Sequence, residues 1–162
     1  MIILGVDPGS IRTGYGAIET DGRRHRLIEK GVLAPPRRAE LPQRLHFVHS
    51  QLSGLIARVG PDILAVEDLF HAVNTRSAMV LAHVRGVILQ TGAAAGISVS
   101  AFAPATVKVQ VTGFGQAEKT QVALMVSRLL GLAAEAEAGD ATDALAVAIC
   151  HAHLHATESC RT

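Results

Sequence analysis

The sixteen residues at the amino terminus, MIILGVDPGSIRTGYG, constrain the fold more than any other stretch. Ile2, Ile3, Leu4 and Val6 form a short apolar run suited to a buried strand, and Asp7 is its first charge, placed where that strand should stop. Pro8-Gly9 breaks the strand, and Gly14 to Ile18 reads as a second strand returning beside the first. On this reading the Asp7 carboxylate sits on a central strand, held rigid by packing, which is how a scaffold positions a catalytic group. The same residues also spell an ordinary Asp-Pro-Gly turn, because Asp favours the first turn position and Pro the second.

Asp21-Gly22 marks a turn, and His25 to Leu33 is predicted as a third strand completing an antiparallel meander. Pro35-Pro36 ends it. Leu41, Leu45, Val48, Leu52, Leu55 and Val59 recur at spacings of four and three, which predicts a helix over 41–59. Gly60-Pro61 stops that helix, and Ile63 to Val66 is a short strand ending in Glu67 and Asp68. Reached from a helix, this strand should lie parallel to its neighbour. A helix from about Ser77 to Ala95 with Ser77 as its cap follows, then a strand from Ile97 to Phe102 and a short helix around Ala105 to Gln110. A helix from about Glu118 to Leu130, closed by Gly131, and a last one from Asp140 to about His155 finish the pattern. The order predicts a single α/β domain over 1–156 with a polar tail at 157–162. Its mixed five-stranded sheet, flanked by helices, fits a ribonuclease-H-like fold.

Hydrophobic residues make up 49% and charged residues 18%, so the chain is expected to be globular and not disordered. Cys150 and Cys160 have no metal-ligand spacing, which suggests neither a disulfide framework nor a zinc site and fits a reducing cytoplasm. No basic segment opens the chain as in a signal peptide. The weakly polar run from Gly86 to Ala103 is interrupted by Gln90, Thr91 and serines, so no membrane span is expected. The net charge of +1 argues for no partner by itself. Between Phe70 and Arg128, however, Arg76, Arg85, Lys108, Lys119 and Arg128 face Glu118 alone, a local excess that could meet phosphates.

The acids form a constellation. Asp7 and Glu67 each end a core strand, and ligands of open α/β sheets gather at those ends. Asp140 and Asp143 lie three apart at the start of the last helix and share a face, although one could simply cap that helix and the other complement its dipole. Four carboxylates together repel unless protonated or neutralised, and Mg2+ or Mn2+ solves that problem while leaving room for water and phosphate. Two such ions would activate water and stabilise the leaving oxygen of a cleaved phosphodiester. Lys108 and Lys119 border glycine loops where an ammonium could meet a phosphate or remain solvated. Phe70, three residues past Glu67, is either a stacking surface for an unpaired base or a core residue. His151, His153 and His155 lack an acidic or thiol partner nearby and read as surface histidines, and His83 either packs or touches DNA.

In this order and spacing the chain resembles the RuvC family of bacterial endonucleases that resolve Holliday junctions. The resemblance rests on Gly5-Val6-Asp7-Pro8-Gly9-Ser10 with Thr13-Gly14-Tyr15-Gly16, and on Val66-Glu67-Asp68-Leu69-Phe70 with Asn74. It continues in Arg85-Gly86-Val87, Val107-Lys108, the run from Thr112 to Val122, and Asp140-Ala141-Thr142-Asp143-Ala144-Leu145-Ala146. The resemblance implies a homodimer with two active sites that nicks opposed strands of four-way junction DNA with Mg2+ or Mn2+. It implies metal-binding and catalytic roles for Asp7, Glu67, Asp140 and Asp143, functional roles for Lys108 and Lys119, and base contact by Phe70. Arg76, Arg85 and Asn74 are expected to contact DNA, and RuvA and RuvB to act as branch-migration partners. The chain departs from the family pattern in carrying Asp68 beside Glu67 and His83 where a glutamine is common.

Overall fold

The computed structural model describes residues 1–68, 75–132 and 138–159, the side chains of the last two excepted. The strands β1 (Ile2–Asp7), β2 (Thr13–Thr20) and β3 (His25–Leu33) form the expected antiparallel meander. β4 (Ile63–Glu67) and β5 (Ser98–Phe102) join the free edge of β1 in parallel, so the sheet runs β3-β2-β1-β4-β5. β4 is reached through α1 (Leu41–Val59) and β5 through α2 (Thr75–Ala94). α3 (Pro104–Thr112), α4 (Lys119–Leu129) and α5 (Asp140–Ser159) then follow.

Both faces of the sheet are covered, which is why β1 and β4 read as continuous apolar runs without alternation. The pleat divides them between two cores. Leu4, Val6, Leu64 and Val66 pack against Val48, Leu52 and Leu55 of α1 and Val84 and Ile88 of α2. Ile3, Ile18 and Ala65 face the opposite way, beneath Val107 of α3, Val126 of α4 and Leu145 and Ile149 of α5.

Helix α5 lies closer to the sheet than ordinary side chains would permit. A Cβ placed on Gly14 would stand 1.9 Å from the Asp140 carbonyl oxygen, and one on Gly5 2.1 Å from that of Ala144. Glycine at these strand positions, Gly5 against Ala144 and Ala148 and Gly14 against Asp140 and Ala141, lets the helix backbone rest on the strands themselves.

Local chemistry sets several boundaries. The Gln43 side chain accepts from the Glu40 N–H at the start of α1, and Gln121 accepts from the Glu118 N–H at the start of α4. Gly60 and Gly131 close the same two helices with φ near +61°. Two boundaries differ from expectation. α2 begins at Thr75, so Ser77 sits inside its first turn and is no cap. α5 continues to Ser159, because a last turn needs no apolar pattern to remain helical once the preceding turns are anchored, and part of the expected polar tail is therefore helix. No helix among the described residues is long and apolar enough to cross a membrane.

Candidate active site

Asp7 and Glu67 end the two central strands. The parallel register sets Val6 beside Val66, so the next residues along, Asp7 and Glu67, stand side by side. By alternation they share the face of Ile3 and Ala65, the one covered by α5. Their carboxyl groups share a hydrogen bond. Burial, the neighbouring Glu67 charge, that hydrogen bond and the more distant charge of Asp143 push Asp7 up to about 8, against the pull of Lys119. Glu67 is raised as well, chiefly by burial and further by Asp143, with its bond to Asp7 and the charges of Lys119 and Lys108 opposing. The pair thus holds a proton at neutral pH, because two adjacent desolvated carboxylates cannot both ionise.

The first turn of α5 brings the other two acids. The carbonyl of Gly139 accepts from the Thr142 and Asp143 N–H groups, starting the helix where the sheet glycines hold it. Asp143, its side chain largely buried, accepts from Lys119 Nζ at 2.7 Å, and this bond is the main reason Lys119 is held above the usual lysine range. Asp140 is engaged by Arg12 Nε at 3.1 Å. Lys108 on α3 is close enough for its charge to act on Glu67. The structure therefore gathers Asp7, Glu67, Asp143, Lys108 and Lys119 into one electrostatic cluster, with Asp140 at its edge.

The remaining candidates are placed as follows. Arg85, expected to contact DNA, is directed at Asp68, its guanidinium 3.1 Å from that carboxylate. Arg76 is exposed in the first turn of α2. Phe70 and Asn74 lie outside the described residues. His83 Nδ1 meets the Met79 carbonyl one turn earlier on its own helix. His151 and His153 correct the expectation of surface histidines: both are half-buried, His151 edge-on to Phe102 and His153 bonded to His25 and to the Gln110 carbonyl. The fold supplies these partners from β3, β5 and α3, none of them near in sequence.

Sequence reasoning missed Arg12, which lies far along the chain from Asp140 and meets it only through packing. It also missed the glycine rule at the site. Its signal was present: Gly14 and Gly16 lie two apart on a strand and so face the same side, the side on which α5 rests. Arg44 of α1 also donates to the Ser10 carbonyl, tying down the loop after Asp7.

All the clustered acids present oxygen, the donor that hard divalent ions prefer. The proton shared by Asp7 and Glu67 marks where a cation is wanted, and the pair fits an ion that takes one or two carboxylates and keeps its waters. Among the described residues no three acids or imidazoles are gathered tightly enough to hold an ion together, since Asp140 and Asp143 are turned to Arg12 and Lys119.

Comparison with known proteins points one way. The model of the family described as crossover junction endodeoxyribonuclease RuvC matches residues 3–151. The crossover junction endodeoxyribonuclease RuvC of Syntrophomonas wolfei is 45% identical over 98% of this chain and 92% of its own. That of Acidiphilium cryptum is 49% identical over 97% and 93%. Thermus thermophilus RuvC, solved in complex with a Holliday junction substrate, superposes with a TM-score of 0.92 at 30% identity, covering 98% of this chain and 97% of that one. With the strand-end acids and the sheet order already in place, these matches settle the family: the chain belongs to the crossover junction endodeoxyribonucleases of the RuvC type.

Proposed function

We propose that this protein is a Holliday junction resolvase, a metal-dependent endonuclease that makes paired, symmetric nicks in four-way DNA junctions during recombination and repair. The observation that carries the reading is the side-by-side placement of Asp7 and Glu67 at the ends of two central strands, with Asp143 and two lysines around them. Family membership and the junction complex of the Thermus relative support the substrate.

Asp7, Glu67, Asp140 and Asp143 are the residues that would hold Mg2+, with Mn2+ as a substitute and two ions in each site. When bound, these ions supply an activated water and neutralise charge on the leaving oxygen. Asp7 and Glu67 give up their shared proton in exchange. Asp140 and Asp143 would exchange their pairing with Arg12 and Lys119 for the ions, and Lys119 and Lys108 would supply ammonium groups that stabilise the charge developing on the phosphate. Phe70 stacks on an unpaired base, and Asn74, Arg76 and Arg85 contact the DNA. The reading includes a homodimer joined through α2, RuvA and RuvB as partners, and a cytoplasmic setting.

The test is cleavage of a synthetic four-way junction beside a linear duplex of the same sequence, with Mg2+, Mn2+ or chelator. Paired nicks confined to the junction and abolished by chelator are expected, and Asp7→Asn should bind the junction without cutting it. Cleavage indifferent to the junction, or retained in Asp7→Asn, would overturn the reading.

A further inference from the structure

At the opposite end of β1 from the carboxylates, two imidazoles face each other. His25 on β3 and His153 on α5 bring their Nε2 atoms to 3.2 Å. Thr20, the strand partner of His25, is bonded to Met1 at the start of β1, six residues before Asp7 and so roughly 20 Å away along the strand. Nothing in the proposed nuclease chemistry uses this pair.

We propose that His25 and His153 form a second metal site, a two-imidazole seat for a borderline divalent ion such as Zn2+, separate from the carboxylate cluster. The spacing fits: an ion 2.0–2.1 Å from two ring nitrogens at a tetrahedral angle sets those nitrogens about 3.3 Å apart. The outer nitrogens fit as well, because metal-binding histidines characteristically fix the second ring nitrogen on a hydrogen-bond partner. His153 Nδ1 lies 2.8 Å from the Gln110 carbonyl. A carbonyl only accepts, so this nitrogen carries the proton, and the lone pair of His153 is on Nε2, facing His25.

His25 is equipped to match it. Its Nδ1 is 2.8 Å from Thr20 Oγ1, which also accepts from the Gly22 N–H at 3.0 Å. With no ion, the Thr20 hydroxyl donates to Nδ1 and His25 Nε2–H donates to His153. With an ion, the hydroxyl rotates to accept from Nδ1–H, and the Nε2 lone pair of His25 joins that of His153. The exchange moves a proton within one ring and releases none to solvent. Three elements hold the geometry: β3 carries His25, α5 carries His153 and α3 supplies Gln110. His25 also lines a surface recess of about 600 Å3 that includes Met1, Asp21 and Arg24, through which an ion enters with water to complete its shell. Imidazole pairs suit Zn2+, and the oxygen-loving ions of the nuclease centre do not compete for them.

The experiment is a Zn2+ titration of the full chain watched through the imidazole nitrogens of its eight histidines by 15N NMR. The expected result is a joint shift of the His25 and His153 Nε2 signals at one equivalent, with the His153 Nδ1–H kept and the His25 proton moved from Nε2 to Nδ1. It should persist in Asp7→Asn and be absent with Mg2+. Replacing the orienting hydroxyl in Thr20→Val should weaken Zn2+ binding about tenfold or more, and His153→Gln should abolish the paired shift. If Zn2+ shifts only other histidines, such as the stacked His151 and His155, or none, the pair is a hydrogen-bonded clasp between β3 and α5 and the proposal fails. The wild-type titration decides this even if a variant does not fold.

Discussion

Asp7 keeps its proton because the alternative is a second charge buried against Glu67. The consequence for stability has a definite sign. The folded-state value, raised from 3.8 to about 8, means the native protein binds more protons than the unfolded chain throughout that interval. Stability contributed by the protonated pair is therefore complete at acid pH and lost as the pH climbs towards 8. In urea unfolding with chelator present, the wild type should weaken between pH 5 and 8.5. Asp7→Asn, which cannot ionise, should show a flatter profile and exceed the wild type at pH 8.5 by on the order of 1–3 kcal/mol. A variant less stable than wild type at that pH would remove the shared-proton account. The same linkage applies to the cation: Mg2+ uptake below pH 8 should release protons, and its affinity should rise with pH. Calorimetry in buffers of different ionisation enthalpy reads the number released.

Among the elements, α5 bears most directly on the site, since it carries two of the four acids and also the core residues Leu145 and Ile149. Its height above the sheet is fixed by glycine, and this can be tested by contrast. Gly14→Ala drives a methyl into the backbone carbonyl of Asp140, which has no flexible end to give way, and should cost at least about 3 kcal/mol and displace Asp140 and Asp143. Gly54→Ala, in the middle of α1 with open space around its Cβ, should instead gain about 0.5–1 kcal/mol. Thermal unfolding of both variants separates close approach from generic helix propensity. The contrast also shows what was legible beforehand. α1, with its apolar stripe and closing glycine, was readable to the residue. α2 was misplaced at its start because its apolar residues spread around the helix and leave no single stripe to mark its first turn. The strand-end acids were visible from pattern alone, whereas the pairing of Arg12 with Asp140, Lys119 with Asp143 and His25 with His153 depends on tertiary packing that no local spacing encodes.

For the whole molecule, the decisive constraint is the symmetry of its proposed substrate. A four-way junction has approximate two-fold symmetry, the described residues of one chain carry one carboxylate cluster, and the proposed paired cuts would therefore call for two chains related by the same axis. The outer side of α2 is suited to that contact: Met79 is exposed there, beside a recess shared with Leu45 of α1 and lined by Ala82, Gly86 and Val87. Met79→Glu should accordingly lower the dimer fraction in sedimentation measurements without unfolding the chain. If each cluster cuts one strand, a dimer with a single working cluster should nick once. Mixed dimers of wild type and Asp7→Asn, isolated through different affinity tags and given a supercoiled plasmid with an extruded cruciform, should yield nicked circles. Wild-type dimers should yield linear molecules, because both strands are cut before relaxation of the supercoil removes the cruciform. Linear product from the mixed dimer at the wild-type rate would mean that one cluster serves both strands, and the two-fold argument would fail even with the chemistry of Asp7 intact.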